Sequence, residues 1–153
     1  MDIDWYDGDR EALQPLFAYA EDSAAQLDEY LPLGRVLVAR RAGTVVGHLQ
    51  LVPTSEPGEI ELKNMAVCPE QRGTGVGRAL VEDAVARCTE EGWPRLVVAT
   101  AAADIGNLRF YQRVGFRMRS VERDAFTPES GYPEPIDIDG IPLLDRVWLA
   151  REL

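Results

Sequence analysis

A chain of 153 residues with 46% hydrophobic and 27% charged residues is long enough to bury a substantial core within one domain, residues 1–153. Its formal net charge of −10 excludes bulk nucleic-acid binding, which needs a basic face, but permits steering of a cationic small molecule. No apolar run approaches the roughly 20 residues of a membrane span. The acidic start Met1–Trp5 is not a secretory signal, and Cys68, Cys88 and the lone His48 lack metal-ligand spacing, so a metal-free, cytoplasmic protein without membrane contact is expected.

Asp2–Tyr6 reads as a short strand, and Asp7-Gly8-Asp9 as a turn and helix cap. Leu13, Leu16, Phe17 and Ala20 recur at helical spacing within a helix predicted over Arg10–Ala20. A second helix is predicted over Ser23–Leu31, capped by Ser23 and stopped by Pro32-Leu33-Gly34. Arg35–Arg40 and Thr44–Pro53 are β-rich and meet at a hairpin turn with Gly43, and Glu59–Val67 completes a three-strand meander. His48, in the middle strand, reads as structural. Lys63 is the one lysine among sixteen basic residues, which reads as arginine-biased codon usage.

Next comes Val67-Cys68-Pro69-Glu70-Gln71-Arg72-Gly73-Thr74-Gly75-Val76-Gly77-Arg78, where a strand stops at Pro69, three alternate glycines follow, and a helix begins. Glycines admit positive φ or close backbone approach. A helix N-terminus just beyond them offers free N–H groups and the positive end of the helix dipole, which suits a phosphate. A P-loop would carry Lys-Ser/Thr after the last glycine, where Arg78-Ala79 stands instead. A dinucleotide-binding fold would place G-x-G-x-x-G at its first βα turn, whereas here a meander precedes G-x-G-x-G.

Leu80, Ala84, Val85 and Cys88 give the helix Val76–Glu90 one apolar side. The continuous apolar run within Arg95–Thr100 suits a strand buried on both faces, parallel to Glu59–Val67. A short helix spans Asp104–Val114 with Gly115 as its stop, and Phe116–Asp124 alternates as a strand. Thr127–Pro142 is too rich in proline and glycine for an element interior and reads as a loop, either an acceptor wall or a dimer contact that would allow a homodimer. Leu143–Leu153 is the final strand, predicted antiparallel to that at Phe116.

The pattern R-x-x-G-x-G at Arg72, Gly75 and Gly77, followed by Phe110-Tyr111-Gln112-Arg113-Val114-Gly115-Phe116, resembles the GNAT superfamily of acyl-CoA-dependent N-acetyltransferases over nearly the whole chain. The resemblance implies an α/β (α+β) fold. Its mixed, mostly antiparallel sheet of about six to seven strands would have a V-shaped splay between two parallel strands and about four flanking helices. It implies acetyl-CoA as acyl-donor co-substrate and a primary amine of a small molecule or peptide as acceptor. Backbone N–H groups of Arg72, Gly73, Thr74, Gly75, Val76, Gly77 and Arg78 would cradle the CoA pyrophosphate. Main-chain groups of Met65, Ala66 and Val67 would hold the acetyl carbonyl and the pantetheine arm. Tyr111 falls where the family protonates the departing thiolate, and Glu61 where some members carry the general base. At Asp104 the family often has an asparagine that bonds the pantetheine arm, so Asn107, one turn later, becomes the candidate.

These roles match the chemistry. An amine of pKa roughly 10 must lose a proton before attack, and the oxyanion that forms needs a preorganised N–H, here that of Met65. Plainer alternatives stay open. Glu61 could simply pair with Lys63, Tyr111 could be a core aromatic, and the chain could be a non-catalytic acyl-CoA-binding module. Acidic Glu21, Asp22, Asp28, Glu29, Glu129 and Glu134 could flank a cationic acceptor or form a solvated face.

Overall fold

The computed structural model describes residues 1–153. Strands β1 (Asp2–Trp5), β2 (Arg35–Arg41), β3 (Thr44–Pro53) and β4 (Glu59–Val67) pair antiparallel in chain order. The β2–β3 register leaves Ala42-Gly43 as a two-residue turn, both at positive φ, as right-handed strand twist favours in tight hairpins. Strand β5 (Arg95–Ala101) runs parallel to β4. Strand β6 (Arg117–Glu122) lies at the sheet edge. The small hairpin β7 (Asp137–Ile138) and β8 (Ile141–Pro142) stands apart, and β9 (Arg146–Glu152) inserts between β5 and β6. The result is a seven-stranded, mostly antiparallel sheet, as the resemblance implied.

Two apolar layers cover the sheet. On one face α1 (Gln14–Phe17) and α2 (Ala24–Tyr30) bury Phe17, Leu27 and Tyr30 against Val36 and Val38. On the other, α3 (Val76–Glu90) and α4 (Ile105–Arg113) close over Leu49, Leu51, Leu62 and Leu96. Leu80, Ala84 and Cys88 of α3 are buried as read from the sequence, joined by Val76 and Val81, while Val85 packs only at the margin. Truncating a fully buried side chain such as Leu80 to alanine costs about 3 kcal/mol.

The helix predicted over Arg10–Ala20 is broken. It is a 3-10 turn (Arg10–Leu13), the single α-turn α1, and a second 3-10 turn (Ala18–Ala20). Pro15 has no N–H and its ring opposes the carbonyl four residues earlier, so the α ladder restarts at Gln14. Ser23 caps α2 as expected, accepting from Gln26 N–H at 3.1 Å. The stretch Thr127–Pro142 is more ordered than a plain loop. A capped 3-10 turn (Pro128–Ser130) and the β7–β8 hairpin lie within it, and it is fastened to the N-terminal region by Gln26 Nε2 donating to Ser130 O at 2.8 Å. No helix is long and apolar enough to cross a membrane.

One irregularity positions everything that follows. On β4 the register skips Lys63, with Asn64 opposite Gln50 and Leu62 opposite Leu51. Such a bulge bends and twists its strand. The parallel β4–β5 pairing runs from Glu59 and Arg95 only to Leu62 and Val98, although both strands continue. Beyond the bulge the two strands diverge, and the sheet opens.

Candidate active site

The opening exposes backbone on one side only. Cys68 N–H donates to Val46 O at 2.8 Å, and in the register Gly47 faces Val67, His48 faces Ala66, and Leu49 faces Met65. Hydrogen-bonded and non-hydrogen-bonded pairs alternate along an antiparallel ladder. The peptide groups of Met65 and Val67 therefore point away from β3, toward the gap, while Ala66 exchanges its bonds with His48. Ala66, expected to present main-chain groups, lines the cleft with its N–H and C=O already committed to β3.

Beyond β4, residues 69–78 form the predicted loop. Pro69–Gln71 is a 3-10 turn, Gly73 and Gly75 take φ of +76° and +91°, and Gly75 is the N-cap of α3 without any side-chain cap bond. A Cβ built at Gly73 or Gly75 meets nothing within 4 Å, so the space above them is open. Gly77 takes the second of the two glycine uses, close approach. It lies inside the first turn of α3 at ordinary φ, and its missing Cβ faces Phe110 Cζ at 3.5 Å. There it serves close approach rather than backbone strain. Thr74 Oγ1 donates to Gln71 O at 2.6 Å, Arg41 braces Gln71 and Thr74, and Arg72 Nε holds Val67 O at 3.0 Å while its guanidinium stacks on Tyr19. Together Met65, Ala66, Val67, Arg72, Gly73, Gly75, Val76, Gly77, Arg78 and Asn107 line a cleft of about 530 Å³, floored by Phe110. The first-turn N–H groups of α3 lack intrahelical partners, which fits an anion.

A second cavity, of about 240 Å³, lies past the junction. Glu61, Lys63, Tyr111, Asp22, Tyr132 and Trp148 are among its walls, and Met65, Asp104, Asn107, Tyr19 and Ala20 belong to both spaces. The Glu61 side chain is 15% exposed, and burial pushes its pKa up, against the lowering pull of Lys63 and Arg146. Lys63 Nζ stands 3.8 Å from Glu61 Oε2 and 4.9 Å over the Tyr30 ring. Tyr111 is 6% exposed, packed edge-on against Phe110 and Phe116, and its hydroxyl has no hydrogen-bond partner within the protein. Burial, reinforced by Asp104, raises its pKa and keeps it protonated. Asp104 itself caps α4, accepting from Asn107 N–H at 2.9 Å, and Asn107 Nδ2 donates to Thr100 Oγ1 at 3.3 Å.

Of the six acidic residues proposed to flank an acceptor, only Glu21 and Asp22 reach the cavity. Burial, together with Glu21 and Asp104, raises the Asp22 carboxyl. Glu21 is a hub, receiving hydrogen bonds from Tyr30 at 3.0 Å, Tyr132 at 2.6 Å and Ser23 N–H at 3.1 Å. Tyr30 in turn accepts from Asn64 at 2.9 Å, and Asn64 Oδ1 lies 2.7 Å from His48 Nε2. His48 is fully buried against Phe17 and, as read from the sequence, structural. Cys68 Sγ is turned to Val45 O at 3.8 Å. The sequence reading missed Tyr30, Asn64, Arg146 and Trp148. No local spacing marks them, since three separate elements, α2, β4 and β9, bring them together.

An open anion cradle, unpaired strand amides, and a carboxylate and phenol beyond them can hold a phosphorylated thioester against a nucleophile. A model of the Acetyltransferase (GNAT) family matches residues 3–116. An uncharacterized N-acetyltransferase of Bacillus subtilis is 31% identical over 143 residues, covering 94% of this chain and 90% of that protein. Among solved structures, an IAA acetyltransferase from Bacillus cereus is 33% identical with a TM-score of 0.88, covering 99% of both chains. A GNAT family acetyltransferase from Elizabethkingia anophelis with acetyl-CoA bound is 28% identical with a TM-score of 0.90, covering 99% of this chain and 97% of that one. Motif, sheet opening and family match agree, and the chain belongs to the GNAT family of N-acetyltransferases.

Proposed function

We propose that this chain moves the acetyl group of acetyl-CoA to a primary amine by direct attack, with both substrates bound at once. The observation that carries the reading is the junction at Met65, where the cleft with the anion cradle and the cavity with the carboxylate share a wall just past the end of β4–β5 pairing.

In this reading the amides from Gly73 to Arg78 hold the pyrophosphate at the positive end of α3. Val67 bonds the pantetheine arm once Arg72 releases its carbonyl, and Asn107, already oriented by Thr100, offers its remaining amide groups to the same arm. The Met65 N–H donates to the acetyl oxygen as charge builds there. Glu61 takes the proton of the acceptor ammonium, a task its raised pKa suits. Tyr111, kept protonated by burial, gives a hydrogen bond to the departing sulfur. The aromatic and acidic walls (Tyr30, Tyr132, Trp148, Glu21 and Asp22) favour an amine that arrives as a cation on an apolar body.

Titration with acetyl-CoA, followed by thiol release against a panel of primary amines, tests this. Saturable binding is expected, with thiol release that depends on the amine. Binding with no release on any amine would refute the transfer.

A further inference from the structure

The chain's one lysine, Lys63, sits inside the cavity assigned to the acceptor. It is the bulge residue of β4, skipped by the β3 register, two positions before Met65. Its Nζ lies 3.8 Å from Glu61 Oε2, over the Tyr30 ring, with the side chain 34% exposed. An amine beside the base, on a flexible stem in the cavity that meets the donor cleft, meets the requirements set above for an acceptor. The other amine of the chain, at Met1, precedes β1, which is separated from β4 by β2 and β3.

We propose that Lys63 is a self-acetylation site, modified within its own chain when acetyl-CoA is bound and no acceptor fills the cavity. The inference rests on the acetyl transfer proposed above. Glu61 removes one proton from the ammonium, and Nζ forms the C–N bond to the acetyl carbon. The C–S bond breaks with its electron pair going to sulfur, and the second nitrogen proton neutralises the CoA thiolate. Glu61 then returns its proton to solvent. The product is an Nε-acetyl-lysine, which can no longer pair with Glu61 or offer a cation to Tyr30. A bound amine covers the same space, so acceptor and self-modification compete.

The experiment incubates the purified full chain with acetyl-CoA alone and follows intact mass, peptide mapping and thiol release. One acetyl group per chain is expected, at Lys63, at a rate independent of protein concentration. Excess CoA, which fills the cleft without an acetyl group, should slow it at least tenfold. The modification should be absent in Lys63→Arg and slowed in Glu61→Gln. Acetylation that survives excess CoA is chemical attack by free thioester and overturns the proposal, as does acetyl found only at Met1. A chain that acetylates an added amine but leaves Lys63 unmodified overturns this inference alone. A chain that binds acetyl-CoA but modifies neither Lys63 nor any amine overturns it together with the transfer it rests on.

Discussion

The cleft proposed for the donor and the cavity proposed for the acceptor meet at Met65 but are built by different means. Most of the cleft comes from one continuous stretch, residues 65–78, and its recognition groups are backbone N–H and C=O. The cavity takes side chains from β4, β5, β9, α4, the N-terminal helical region and the 126–143 segment. Backbone recognition travels with a short motif, because glycine placement and a helix start create it locally. Side-chain recognition depends on which distant segments the fold brings together.

Because of this division, single substitutions should damage one side and spare the other. Glu61→Gln strikes the acceptor side hardest. A fall of about a thousandfold in kcat/KM is expected with unchanged acetyl-CoA affinity. The acidic limb of the wild-type profile should lie above the ordinary carboxylate range, since burial raises Glu61 and the base acts ionised, and it should vanish in the variant.

The network beneath the cavity gives a stability test of similar size. Burial pulls His48 down to about 4 from its ordinary 6.5. The unfolded chain therefore binds more protons than the folded one between those values. The stability is complete above about pH 6.5 and is lost as pH falls toward 4, by roughly 3 kcal/mol. Melting curves across this range should show the slope, and His48→Gln should flatten it.

On the donor side, Gly75→Asp places a carboxylate and a side chain at φ +91°, in the anion cradle. Acetyl-CoA affinity by calorimetry should fall about a hundredfold, near 2.7 kcal/mol. Tyr132→Phe removes a 2.6 Å bond to the Glu21 carboxylate. It should cost about 2 kcal/mol of stability and raise acceptor KM without touching acetyl-CoA binding. Tyr111→Phe is the smallest change and the one that probes the junction. A phenol of raised pKa gives up its proton reluctantly, so it contributes mainly a hydrogen bond, and kcat should drop about tenfold with donor affinity unchanged. Equal losses in kcat and in donor affinity would make Tyr111 a packing residue shared by both sides.

The sequence by itself determined the meander, the glycine loop, the helix that follows it and the parallel strand beyond. Each depends on periodicity or on residues with unusual backbone preferences, and those act over a few neighbours. It also indicated Glu61, Tyr111 and Asn107 as site candidates through a two-motif resemblance, and all three line one cavity. Pro15 could have signalled the restart of the first helix at Gln14, but nothing local marked the second 3-10 turn at Ala18 or the ordinary φ of Gly77. Nor could the sequence show that Ala66 spends its peptide on His48, which follows from the parity of the β3–β4 ladder. The bulge at Lys63 has no sequence mark, because a skipped residue is defined only against the partner strand. Tertiary structure alone decided where β4 leaves β5, which four of six acidic residues stay outside the cavity, and that the single lysine shares that cavity with Tyr30, Tyr132 and Trp148. These are relations between segments distant in the chain, fixed by packing rather than by local preference.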